Sequence, residues 1–98
     1  MAHQVSKRAE RDLKSIAYYI ATESGSVDSA ERQIDAIIER FDLLTEHPEI
    51  GRARDDLGAG RRTFPVDNYV ILYRITGADV LILRVAHSRR DLDTLYHY

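Results

Sequence analysis

The sequence predicts an α+β domain in which an N-terminal helical hairpin packs on a small antiparallel β-sheet, in the order β-α-α-β-β-β. Three observations predict it. Apolar residues recur at helical spacing from Ala9 to Ile20 and again from Ala30 to Leu44. Strand-like runs fill residues 61–87, parted by the two-residue turns Asp67-Asn68 and Gly77-Ala78. The chain has 98 residues, which suits one domain (residues 1–98) with a single core.

Each element follows from its residues. Val5 ends a short opening strand, and Ser6 is placed to cap the first helix. Ala9, Leu13, Ile16, Ala17 and Ile20 form its apolar face, and Gly25 suits its end, giving a helix over about 7–23. Ser26 or Asp28 caps the second helix, whose seam is Ala30, Ile34, Ile37, Phe41 and Leu44. Pro48 disfavours helix at His47 and stops it there. Residues 49–60 read as a loop with three glycines. Strands are expected at Arg61–Val66, Tyr69–Thr76 and Asp79–His87, with Pro65 placing the first at an edge, a bulge or an ending. Strict alternation puts Leu81, Leu83 and Val85 on one face of the last strand, and Val80, Ile82, Arg84 and Ala86 on the other. Both sheet faces are then fairly apolar. The hairpin covers one, so the other needs a partner or a second subunit, or forms a shallow groove.

Composition narrows the function classes. There is no cysteine, hence no disulfide and no thiolate metal site. No His–Glu–His spacing suggests zinc, and no Gly-rich phosphate loop occurs, so neither metal nor cofactor is expected. No apolar run has signal-peptide or membrane-spanning length, so the expected setting is cytoplasmic, away from membranes. The net charge is −2, which argues against a chain living on nucleic-acid phosphates and against direct sequence-specific DNA binding. The charge is uneven. Residues 25–50 carry seven acidic and two basic side chains, while arginines gather at 52–62 and 84–90.

Several segments together carry a resemblance. They are Ser6-Lys7-Arg8-Ala9-Glu10-Arg11-Asp12-Leu13, Leu44-Thr45-Glu46-His47-Pro48-Glu49-Ile50-Gly51-Arg52, Arg62-Thr63-Phe64-Pro65-Val66, Tyr69-Val70-Ile71-Leu72-Tyr73-Arg74, and Ile82-Leu83-Arg84-Val85-Ala86-His87-Ser88-Arg89-Arg90-Asp91. In this order the chain resembles the RelE/ParE superfamily, the toxins of type II toxin–antitoxin modules, and most of all its ParE-like, plasmid-stabilisation branch. The resemblance covers nearly the whole chain. It implies a toxin neutralised by a cognate ParD-like antitoxin whose C-terminal segment folds on the toxin's hairpin and sheet. Ile16, Tyr19, Ile20, Phe41, Leu44, Arg62 and Arg74 are the candidate antitoxin contacts. A toxin dimer or a heterotetramer with antitoxin is the expected assembly.

The superfamily implies two targets. ParE-like members are thought to poison DNA gyrase, while RelE-like members cut mRNA on the ribosome. Metal-free RNA cleavage needs a base, an acid and cations around the scissile phosphate. His87 with Arg62, Arg84 and Arg89 is the set that would supply them, with Tyr96 or Tyr98 as a further proton donor. Against this stand the acidic balance and the placement of both lysines, Lys7 and Lys14, on helix one. The favoured reading is therefore a gyrase poison that acts by binding, with no catalytic residue, through Arg84, His87, Arg89, Arg90 and Tyr96. The nuclease and an inactive binding homologue are the alternatives.

Overall fold

The computed structural model of the protein describes residues 2–89. Strand β1 (His3–Val5) leads through one residue, Ser6, into helix α1 (Lys7–Ser24). Ser6 ties three elements together. Its side-chain oxygen accepts from the Ala9 N–H at 3.0 Å, its hydroxyl donates to the Leu83 carbonyl at 2.8 Å, and its own N–H donates to the Ile82 carbonyl at 2.9 Å. Gly25 takes a left-handed φ of 69° and ends α1. Ser26, whose side chain accepts from the Ser29 N–H, caps α2 (Val27–Glu46). Both helices thus begin and end where capping chemistry predicts.

The rest is sheet. Strands β2 (Arg52–Ala53), β3 (Arg61–Val66), β4 (Tyr69–Thr76) and β5 (Asp79–His87) join β1 in the order β1-β5-β4-β3-β2. The α+β expectation holds, with two corrections. The sheet is mixed, because β1 pairs parallel with β5 while the other neighbours are antiparallel. The segment read as a plain loop also contains β2 and a 3-10 turn at Asp55–Leu57. Pro65 lies on β3 past the reach of β2, which pairs only with Arg62 and Thr63, so its missing N–H costs no ladder bond.

A bulge corrects the face assignment. Leu72 stands opposite Arg84 and Tyr73 opposite Ile82, so Leu83 is an extra residue on β5. Alternation slips by one there. Val80, Ile82 and Val85 all reach the main core, with Ile71 and Tyr73 of β4 and Ala9, Ile37, Phe41 and Leu44 of the helices. On the opposite face Leu57 from the 3-10 turn buries against Leu72 and the half-buried Leu83. That face is therefore covered in part from within the chain, rather than only by a partner. No helix among the described residues is long and apolar enough to cross a membrane.

The loop after α2 is held by one phenol. The Tyr73 hydroxyl donates to the Pro48 carbonyl at 2.6 Å and accepts from the Gly51 N–H at 2.9 Å. The Arg62 guanidinium donates to the Glu49 carbonyl at 3.2 Å and the Gly51 carbonyl at 2.8 Å. A Cβ on Gly51 would lie 2.7 Å from Tyr73 Cε1 and 2.9 Å from the Thr63 carbonyl oxygen. Burial pushes the Tyr73 phenol above its ordinary pKa, against the smaller opposing effects of the Gly51 N–H and Arg62.

Two expectations follow. Tyr73→Phe should cost about 1–3 kcal/mol in urea unfolding, because it strands a carbonyl and an N–H. Gly51→Ala should also destabilise, since neither the Tyr73 ring nor the β3 backbone can withdraw. The raised pKa gives the pH sign. Below about pH 10 the phenol is protonated in both folded and unfolded chains. Above it the unfolded chain ionises first, so stability should fall. Burial raises Tyr69 in the same direction. The alkaline loss should therefore be smaller, yet still present, in Tyr73→Phe.

Candidate functional site

Strand β1 pairs with β5 only as far as Ile82. Past that point α1 runs beside β5 and its side chains serve the backbone there. Asp12 is the main contributor. One carboxylate oxygen accepts from the Val85 N–H at 2.9 Å and from Arg84 Nε at 2.7 Å, and the other accepts from Arg84 Nη2 at 3.0 Å. The two side chains are 13% and 15% exposed. This bidentate pair locks the upper end of β5 to the second turn of α1.

Above the pair lies an open groove of about 680 Å³. Ser15, Ile16 and Tyr19 of α1 form one wall, and Tyr69, Ala86, His87 and Arg89 form the other. The Tyr69 ring meets His87 edge-on, with centroids 5.3 Å apart. His87 Nδ1 accepts from the Arg89 N–H at 3.1 Å. In the neutral ring the proton therefore sits on Nε2, and His87 is a donor there. The groove combines an apolar floor, two phenols, an imidazole donor and the exposed Arg89, a set suited to an extended segment with apolar and acidic groups.

The candidate residues divide by position. Ile16 and Tyr19 reach the groove, joined there by Arg84, His87 and Arg89. Ile20 is half-buried one turn further along α1. Phe41 and Leu44 are 1% and 0% exposed and sealed in the core, so they support the surface rather than form it. Arg62 is held by the 49–51 carbonyls, and Arg74 is exposed on β4. Arg90 and Tyr96 lie outside the described residues. Asp12 and Tyr69, which the sequence does not single out as site residues, both line the groove. An arginine on an apolar strand is the signal that a carboxylate must lie near it.

The profile of the ParE toxin of type II toxin–antitoxin systems, parDE, matches residues 4–92. The chain belongs to the ParE toxin family. It is 41% identical over 70 residues to the toxin ParE3 of Caulobacter vibrioides, covering 71% of this chain and 70% of that one. The fold of this ParE family member matches the chromosomal ParDE system of P. aeruginosa at a TM-score of 0.77 and 22% identity, over 89% of this chain and 95% of the other. It also matches the RelBE2 toxin–antitoxin complex of Mycobacterium tuberculosis at 0.64 and 28% identity, over 88% and 95%.

Asp12→Ala should cost about 1–3 kcal/mol in denaturant unfolding, by removing the carboxylate that the Arg84 guanidinium and the Val85 N–H share in a largely buried site. Arg84→Met should cost less. It keeps the stem packed and leaves Asp12 its backbone donor.

Proposed function

We propose that this chain is a toxin that acts by binding DNA gyrase in the cytoplasm, and that a cognate ParD-like antitoxin silences it by covering the groove between α1 and β5. The observation that carries this reading is how the chain uses its arginines. Arg84 is closed on Asp12, and Arg62 on two loop carbonyls. Arg62 stands opposite Tyr73 and His87 opposite Tyr69. These positions are separated by about 13 Å along β4, and by two strand spacings of about 4.8 Å across the sheet. A scissile phosphate needs acid, base and cations at one point; Arg62 lies apart from His87, and Arg84, which lines the groove with His87 and Arg89, is committed to Asp12.

What the groove mouth offers instead is recognition chemistry: His87 Nε2, Arg89 and Tyr19. Arg90 and Tyr96, outside the described residues, are the further residues proposed to contact gyrase. Membership of the ParE family and the likeness to toxin–antitoxin systems support an antitoxin as partner.

The test is purified toxin with gyrase and supercoiled plasmid. Linear DNA should accumulate, and antitoxin should reverse it. Arg89→Glu should raise the toxin concentration required at least about tenfold, the effect of losing roughly 1.4 kcal/mol of binding. Gyrase indifference with ribosome-dependent mRNA cutting that His87→Ala abolishes would replace this reading with the nuclease. Inactivity in both assays would leave a binding homologue.

A further inference from the structure

A second concave surface lies at the other end of the sheet, where α2 ends beside the last residues of β4. It encloses about 800 Å³. Its floor is Leu43 and Pro48, both half-buried, with Ile50 and Ile75, which are 49% and 37% exposed. Glu46, His47 and Glu49 form the rim. Ile75 is the seventh residue of β4, and Tyr69, which lines the α1–β5 groove, is the first. At roughly 3.3 Å per residue the two surfaces are about 20 Å apart.

The backbone beneath Ile50 keeps that side chain in water. Pro48 and Gly51, on either side of it, are held by the Tyr73 hydroxyl, and Arg62 holds the carbonyls of Glu49 and Gly51. The Ile50 N–H closes a turn on the His47 carbonyl at 3.1 Å. Pinned on both sides, Ile50 points outward. A single exposed apolar side chain is ordinary, but two that converge on one concavity with Leu43 and Pro48 form a surface that gains from being covered.

Electrostatics select what covers it. Among the described residues no Lys or Arg lines the surface. Glu46 stands in the last turn of α2 and Glu49 just past it, and no basic residue occupies that turn. The negative end of the helix dipole already disfavours carboxylates there. Neither glutamate has an ion-pair partner among the described residues. Two carboxylates and a helix C-terminus above an apolar floor attract a cation carried on an apolar stem.

We propose that this surface is a second protein-docking site, and that its occupant is a partner segment whose apolar side chains are flanked by Lys or Arg. The apolar side chains fill the floor between Ile50 and Ile75. The cations reach Glu46 and Glu49 while their stems lie on Leu43 and Pro48. An acidic segment is repelled by the same carboxylates. The chain then has two recognition surfaces of opposite preference. The α1–β5 groove, with His87 and Arg89 at its mouth, suits acidic groups, and this surface suits basic ones. Their separation lets both be occupied at once.

Synthetic peptides added to the full chain test this, read by backbone amide NMR shifts and fluorescence anisotropy. A labelled peptide of alternating leucine and lysine should bind and shift the amides of residues 43–50 and 74–76. Replacing its lysines with glutamate, or its leucines with serine, should weaken binding at least about tenfold. Ile50→Ser in the protein should have an effect of at least about the same size, as should Glu46→Gln combined with Glu49→Gln. These side chains lie outside the core, so native circular dichroism is expected. The proposal is overturned by a lack of shifts at residues 43–50, or by shifts confined to the α1–β5 groove or to the α2 carboxylates from Asp28 to Glu39. Equal binding of the leucine–glutamate or the serine–lysine peptide overturns it too, as does undiminished binding to the variants. Should Ile50→Ser unfold, the paired glutamine variant decides.

Discussion

The lower half of the fold depends on the Tyr73 hydroxyl. It sits at the far end of a buried ring on the central strand and takes up the two backbone groups that the chain leaves unpaired as it turns out of α2. Pro48 ends the helix and Gly51 gives the ring room. Arg62 then satisfies the carbonyls the phenol cannot reach. The His-Pro-Glu-x-Gly-Arg segment and the second tyrosine of the Tyr-x-x-x-Tyr-Arg segment are thus two halves of one contact. A buried polar network of this kind is stable only when every member is satisfied, which explains why so many residue types are fixed around one turn.

At the other end of the sheet Asp12 has the equivalent task. Its carboxylate supplies to β5 what a longer β1 would have supplied, and it neutralises the arginine that the bulge turns towards α1. The groove is therefore a by-product of how the strand edge is closed. Its walls are set by α1, whose position is in turn set by Ser6. Recognition chemistry at His87 and Arg89 rests on a frame of three polar side chains rather than on the hydrophobic core alone.

Much of this was legible from sequence. Ser6, Gly25, Ser26 and Pro48 are local signals, and the helices begin and end beside them. The three long strands likewise match their patterns. What was not legible depends on pairing between distant residues. The parallel partner of β1, the two-residue β2 and the extra residue at Leu83 leave no local mark. The same holds for the site. His87 and Arg89 could be singled out by type, but Asp12 was hidden among the charges of α1 because its partner lies 72 positions away. Phe41 and Leu44 lie on the apolar seam of α2, and only packing shows that both are sealed from solvent.

The order of the sheet limits how it can grow. Its two outer strands are three and two residues long, and the upper part of β5 is occupied by Ser6 and Asp12. An incoming strand therefore finds only a few consecutive backbone groups at either margin, too few to template further pairing. Among the described residues, the β-rich half offers no long open edge. The brevity of the margins, among these residues, opposes sheet extension by further copies.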